Sequence, residues 1–468
     1  MGFREFKNKY LGDGAFYRRL LTVALPIVVQ NAITTFVSLL DNIMVGKTGT
    51  DPMTGVSIAN QLIFVFNILV FGAISGAGIF TSQYHGSRDS DGVRFTMRFK
   101  LIICTVISVL GLFVFGFFRG GLISLYISDS AAVGDPVATL GYGSEYLKII
   151  MLGLIPFAVT QCYAGTLRET DETVVPMLAG IAAVAVNLFF NWVFIFGKLG
   201  APALGAAGAA IATVISRYVE MLIVVIWTHA HTEKNPFAKG LFRGLYIPKS
   251  VVFAIVRKGT PLLLNETLWS FGIAAVAQCY SVRGLEVVSA NNISVTVMNL
   301  FNVVFLSLGN AIAIIVGQSL GAGKAEEAVD LDRKLLVVSV ISSVVTGAVM
   351  AAAAPVFPQF YNTEPEIKHL ATQMILAVAA GMPIQSFLNA CYFTLRSGGK
   401  TFITFIFDSG AIWAINYPLV FVLTRFAPSM PVALIMLAEQ LSGLIRCALG
   451  YILVKKRIWV NNLTAARK

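Results

Sequence analysis

Long apolar runs broken by short polar connections dominate the chain. Runs long enough to cross the hydrocarbon of a bilayer as helices, about 20 residues each, lie near 19–45, 54–83, 95–118, 137–165, 173–197 and 204–230. Six more lie near 251–282, 286–318, 331–356, 367–394, 401–426 and 430–454. The pattern predicts an all-α membrane protein with twelve spans. The connections are short and hold turn residues such as Gly46-Lys47-Thr48-Gly49, which makes neighbouring spans antiparallel. The most polar long connection, His229 to Lys258, carries His231, Glu233, Lys234, Lys239, Arg243 and Lys249. It divides the chain into a first six-helix lobe (1–230), a cytoplasmic linker (231–250) and a second six-helix lobe (251–468). Phe237, Leu241, Phe242, Leu245 and Tyr246 within it fit either a short interfacial helix on anionic headgroups or a plain solvated linker.

The two halves read as one unit written twice. Pro26, Phe66, Asn67, Gln83, Gly86 and Arg98 recur 235 residues later as Pro261, Phe301, Asn302, Gln318, Gly321 and Arg333. A second block, slightly out of register, matches Pro156, Cys162-Tyr163 and Thr166-Leu167-Arg168 with Pro383, Cys391-Tyr392 and Thr394-Leu395-Arg396. Duplicated halves in a bilayer point to a transporter.

Composition agrees. With 56% apolar and 13% charged residues, a chain of 468 cannot bury its apolar surface in one soluble core. A net charge of +11 does not imply nucleic acid, because alternating the spans puts 28 of the 35 Lys and Arg on one side. That side holds Arg4 to Arg19, Arg88 to Lys100, Arg168, Arg217 to Lys258, Lys324 to Lys334, Arg396 with Lys400, and Arg446 to Lys468. By the positive-inside rule it is cytoplasmic, with both termini inside a cell membrane. The first apolar run continues through Asp41, too long for a cleaved signal, so nothing is expected to be removed. The five cysteines stand singly in apolar spans and the four histidines are scattered, which argues against zinc. Gly323-Lys324 and Gly399-Lys400-Thr401 end like phosphate loops, but Gln318 and Thr394 occupy the places of the required first glycine. Without an ATP site the energy source is an ion gradient, no cofactor is called for, and a monomer suffices.

An ionised carboxylate near the bilayer centre costs about 2.5–3.5 kcal/mol or more, so each intramembrane acid needs a reason. Asp41, Glu220, Glu266, Asp408 and Glu439 qualify. Pro26, Gln30, Thr34, Val37 and Asp41 share a helix face about 80° wide, so protonation at Asp41 would be felt on the same face as a kink-prone proline. Alternatively, Asp41 sits at the headgroup boundary. Asn187 and Asn191 stack four apart; their amide oxygens suit Na+ or a carboxyl group, or glue helices together. Glu266 follows Pro261 with Asn265 beside it, and calls for a wet cavity or a cation. Asn292, Asn299, Asn302 and Asn310 form a stripe that lines a cavity or joins helices. Arg217 three residues before Glu220 supplies a local ion pair; Asp408 and Glu439 have no such neighbour.

The ordered set of residues resembles the multidrug and toxic compound extrusion (MATE) family over nearly the whole chain. The resemblance rests on Leu25-Pro26, Asp41 with Val45-Gly46, Gln83 to Gly86, and Pro156 before Leu167-Arg168. It continues with Asn187 and Asn191 before Gly197, Gly205-Ala206-Ala207-Gly208-Ala209-Ala210, Pro261 with Glu266, and Gln318 to Gly321. It implies two six-helix lobes, alternating access, and export of organic cations in exchange for Na+ or H+. Asp41, Asn187 and Asn191 then look like the first-lobe cation or proton site, and Glu266 like the second-lobe acid of NorM-type members. Gln30, Thr34, Asn67, Asn299, Asn302 and Asp408 are the cavity-lining candidates. The chain departs from the NorM pattern at Ile384, where an acid follows the proline, and at Glu169 and Ser397, where glycine follows Leu-Arg. Asp408 stands there as a substitute or as a bystander.

The function expected is therefore secondary active antiport in the plasma membrane, with the lipid bilayer and a small organic cation as partners. A lipid-linked precursor flippase is the alternative; it would favour a cavity rich in Arg and Lys, which the interiors of these spans almost lack. A membrane enzyme would need a clustered His with Asp or Ser. A passive channel would keep its flux after the ion gradient collapses.

Overall fold

The computed structural model describes residues 9–126, 135–361 and 363–465; Arg4 and Lys468 of the charge pattern lie outside the described residues. In chain order the helices are α1 (Gly14–Gly46), α2 (Thr50–Gly86), α3 (Ser90–Ser124), α4 (Pro136–Glu169), α5 (Val174–Phe196) and α6 (Ala206–Ala230). Then follow α7 (Lys249–Ser281), α8 (Leu285–Gly321), α9 (Ala325–Ala353), α10 (Pro365–Ser397), α11 (Thr401–Phe426) and α12 (Val432–Lys455). No strand occurs among the described residues. Among the described residues the expected twelve helices are present, and eleven are long and apolar enough to cross a membrane. The exception is α7, whose 33 residues suffice in length but carry Asn265, Glu266 and Gln278 inside the apolar run.

Contacts divide the chain into two compact units. One consists of Val29–Thr81 and Ser90–Ile255; the other holds the described residues of Met1–Val28, Ser82–Asp89 and Val256–Lys468. The chain changes unit within α1, two residues past Pro26, which has no N–H for the Thr22 carbonyl and whose ring crowds that turn. Each unit has its own core: Phe66, Met97, Leu147 and Tyr163 among others in the first, Leu20, Ile315, Leu395 and Trp459 among others in the second. Large apolar side chains such as Phe117, Phe253 and Phe271 are 61–75% exposed. With lipid as solvent these need no cover, and close packing and internal hydrogen bonds rather than burial from water hold the helices together.

Helices pack closely at the duplicated Gln-x-x-Gly ends of α2 and α8. A Cβ added to Gly86 would lie 1.9 Å from the Gln318 carbonyl oxygen, and one on Gly321 would lie 1.9 Å from that of Gln83. Backbone therefore meets backbone, twice, at a crossing only glycine permits. The glutamines extend the junction: Gln83 Nε2 donates to the carbonyls of Ser397 (3.0 Å) and Asn461 (3.2 Å), and Gln83 Oε1 accepts from the Leu463 N–H (2.7 Å). Gln318 Oε1 accepts from Arg19 Nη2 at 3.1 Å. Gly205, just before α6, has a turn role, with φ +56°. The close approach belongs to Gly208, whose Cβ would lie 2.6 Å from the Phe194 backbone.

The linker between the halves is neither an interfacial helix nor a free solvated strand. Only Pro236–Ala238 forms a helical turn, of 3-10 type. Arg98 donates to the carbonyls of Leu241 (2.9 Å), Tyr246 (2.9 Å) and Gly240 (2.8 Å), and Arg94 reaches those of Phe237 and Pro236. Phe237 and Leu241 are buried beneath them. Hydrogen bonds from a charged donor contribute about 1.5–3 kcal/mol each, so Arg98→Gln should free residues 239–246. Limited proteolysis should then cut that stretch at least several-fold faster than in the parent protein, with the helices still intact.

Two basic side chains of the predicted spans lie buried in the protein. Lys100 is fully buried and pairs with Glu169 and Thr166, and Arg446 is buried against Asp408.

Candidate functional site

Within the first unit α1 and α5 bring Asp41, Asn187 and Asn191 together. Asn191 Nδ2 donates to Asp41 Oδ1 at 2.6 Å and to Asn187 Oδ1 at 3.1 Å, while Asn187 Nδ2 faces Thr213 Oγ1 at 3.3 Å. The Asn187 amide also abuts the carboxylate. Turned over, its NH2 lies 3.0 and 3.2 Å from the two Asp41 oxygens and donates to both. A charged, empty carboxylate favours the NH2, whereas a protonated carboxyl or a bound cation favours the oxygen, which then accepts the proton's hydrogen bond or completes a ligand set. Asn191 Oδ1 is buried with no hydrogen-bond partner, an acceptor that a cation would satisfy. Stacking at four-residue spacing on α5 is what presents both amides to one carboxylate.

The remaining first-half candidates are distributed more loosely. Gln30 Oε1 accepts from Arg168 Nη1 at 3.3 Å; Thr34 is exposed and its hydroxyl donates to the Gln30 carbonyl one turn back. Asn67 is half-buried, and its buried Oδ1 has no partner. Arg217 is not within ion-pair distance of Glu220 among the described residues; it donates to the Gly153 carbonyl and lies over the Phe157 ring at 5.1 Å.

In the second unit the polar cluster is larger. The Tyr392 hydroxyl of α10 donates to Glu266 Oε1 at 3.1 Å. Asp408 accepts from Asn265 Nδ2 at 3.0 Å and forms an ion pair with Arg446 Nη2 at 3.0 Å. Ser409 closes the junction, its hydroxyl donating to the Asn265 carbonyl at 2.7 Å. Asp408 lies in a π-helical turn, Ile406–Gly410, followed by a second one, Ile412–Asn416. Such turns widen a helix locally and re-aim side chains, often at functional sites. Pro261 lies one turn before Asn265 inside α7. Asn302 is half-buried, Asn299 and Asn292 are exposed, and Asn310 donates back to the Leu306 carbonyl.

Sequence reasoning did not anticipate Arg446, Ser409 or the π turns, and Tyr392 was noticed only as a repeat of Tyr163. The repeat held the available signal. Tyr163 binds His229 (2.9 Å) where Tyr392 binds Glu266, and Thr166 accepts from Lys100 where Thr394 donates to the buried Asp332. Equivalent positions thus carry different chemistry in the two halves.

Comparison with known proteins agrees with this architecture. The family model MatE matches residues 26–193 and 261–422. A probable multidrug resistance protein NorM of Thermotoga maritima is 26% identical over 420 residues, covering 87% of this chain and 86% of its own. A probable multidrug resistance protein YoeA of Bacillus subtilis is 23% identical, covering 88% and 87%. Among solved structures, an outward-facing multidrug resistance MATE family transporter of the MOP superfamily superposes with TM-score 0.84 at 16% identity, covering 94% of this chain and 95% of that one. With both halves matched by the family model and the helices arranged as in its solved members, the chain belongs to the MatE family of multidrug and toxic compound extrusion transporters.

Proposed function

We propose that this transporter exports organic cations in exchange for Na+ or H+, with Asp41, Asn187 and Asn191 as one binding site for the driving ion and Glu266 as an acid of a second. The observation that carries the reading is the Asn187 amide against both Asp41 oxygens beside the unpartnered Asn191 Oδ1. A carboxylate so placed interacts differently with its surroundings when occupied and when empty. Such differential affinity is what lets an ion bias a two-state carrier. The names of the relatives support drug-like cargo, and the aromatic content suits flat cations. Multidrug relatives and the pairing of buried Arg446 with Asp408 both weigh against a flippase, since that guanidinium is already neutralised. The reading places the protein in the plasma membrane as a monomer with cytoplasmic termini.

The membrane potential acts on net charge at about 2.3 kcal/mol per charge per 100 mV, so one-for-one exchange of monocations would draw on concentration gradients alone. The deciding experiment uses proteoliposomes loaded with a fluorescent cation, with Na+ and pH gradients imposed separately. One gradient should drive uphill movement and its collapse should stop it. Downhill flux indifferent to both gradients would overturn antiport in favour of a channel.

A further inference from the structure

Beyond Glu266 the second unit holds another carboxylate, Glu439, that the exchange reading does not use. It lies on α12 seven residues before Arg446, hence on the same face and about 10 Å along the axis from the Asp408 ion pair. Three helices converge on it. The Tyr280 hydroxyl of α7 donates to Glu439 Oε2 at 2.7 Å, and the Asn416 amide, at the end of the second π turn of α11, lies beside the same carboxyl. Asn416 is 8% exposed, and its Oδ1 is buried with no partner. Glu439 itself is half-buried and therefore reachable. The next residue, Gln440, accepts from Gln385 Nε2 of α10 at 3.2 Å, extending the polar contacts toward the turn that carries Tyr392.

The other groups here leave the carboxylate without a counter-charge of its own. On α7, Tyr280 is a neutral donor and Cys279 a thiol beside Arg425. On α11, the Arg425 guanidinium lies 3.9 Å from the Phe421 ring centroid and is directed at Cys279. On α10, Gly381 and Gln385, the residues against Gln440, do not titrate. A carboxylate held by one neutral donor, next to an amide oxygen lacking any donor, is short of one positive charge. A π turn that brings Asn416 here, as the preceding one brings Asp408 to Asn265, repeats one device at two depths of the same helix.

We propose that Glu439 and the Asn416 amide oxygen form a second station for the driving cation, H+ or Na+, in the unit that contains Glu266. The station rests on the antiport reading for its role in transport, but not for its existence. Binding would give Asn416 Oδ1 the partner it lacks, while Tyr280 holds the carboxyl in place. Release toward Glu266 would pass the Gln385–Gln440 pair.

The test uses the full chain in nanodiscs and two readouts that need no transport. Infrared difference titration follows protonated carboxyls, and radioactive Na+ at saturation counts bound ions. Glu439→Gln should remove one titrating carboxyl if the cation is H+, or one bound Na+ if it is Na+. Tyr280→Phe, which keeps the carboxyl and guards against misfolding, should leave the count unchanged and shift the same titration roughly tenfold toward tighter cation binding, because the donor it removes stabilises the empty carboxylate by the worth of one hydrogen bond to a charged group. In proteoliposomes, Glu439→Gln should also need roughly tenfold more driving cation for half-maximal exchange, with the affinity for the fluorescent cargo unchanged. An unaltered carboxyl titration together with an unaltered Na+ count would overturn the station. So would a loss of exchange by the same factor at every ion concentration, which marks a structural role. If the unmutated protein exchanges nothing yet Glu439→Gln still loses a site, antiport fails and the station stands.

Discussion

Asparagine at position 41 is expected to reduce gradient-driven export to passive background, a loss of about a hundredfold or more, while leaving the protein folded. Moving a carrier from 1:99 to 99:1 between two states takes about 5.5 kcal/mol of differential binding. An amide at 41 can take up neither a proton nor, with one neutral oxygen in place of a carboxylate, hold Na+ with comparable strength. It can still accept the 2.6 Å hydrogen bond from Asn191, and it removes an intramembrane charge costing about 2.5–3.5 kcal/mol. The thermal midpoint in detergent should therefore stay level or rise as transport disappears. That opposite movement separates coupling from stability: a variant that exports normally with its ion dependence intact would remove Asp41 from the mechanism, and one that unfolds would recast it as a packing residue. Asn191→Leu, which strips the strongest donor but leaves the acid, should be milder and show mainly as a shifted ion dependence.

The second large effect is on stability. Arg446→Leu leaves the Asp408 carboxylate inside the unit without its cation; the pair's side chains are 7% and 22% exposed, so water does little to replace it. Breaking a buried pair from one side costs about 3–5 kcal/mol, whereas replacing both partners with neutral groups is often close to neutral. Arg446→Leu should accordingly lower the unfolding midpoint by many degrees, and adding Asp408→Asn should restore most of it, because the amide can keep the hydrogen bond from Asn265. Thermal scans of the two single variants and the double one complete the cycle. No recovery in the double variant would mean that the ion pair is not what Arg446 contributes, and would return Asp408 to the list of groups free to couple.

What the sequence made legible follows from how local the signals are. Apolar run length announced all twelve helices, and even the departure of α7 traces to Asn265, Glu266 and Gln278, visible beforehand. Four-residue spacing put Asn187 and Asn191 on one face, and the geometry sets both against Asp41. Partners distant in the chain were not legible. Asp408 looked solitary because Arg446 is 38 residues away on another helix, and Glu439 because Tyr280 is 159 residues away. Nor does any residue of Ile406–Asn416 announce a π turn, since the added backbone register depends on what the neighbouring helix presents. The burial of Lys100 and Arg446 was not legible for a related reason: long side chains near a helix end can point inward when an acid waits there, and sequence position alone does not give their direction.

The bonds of Gln83 set a schedule for biosynthesis. Its side chain is satisfied by Ser397, Asn461 and Leu463, residues made more than three hundred positions later, and Asn462 adds a bond to the Gly321 carbonyl. While the nascent chain is still emerging, the finish of α2 carries an amide with no place to go. The end of α2 must wait, inserted but unlocked, until the segment after α12 leaves the ribosome. A stalled or shortened polypeptide lacking residues 459–464 would thus present quality-control proteases with an otherwise complete transporter whose α2 end never fastened.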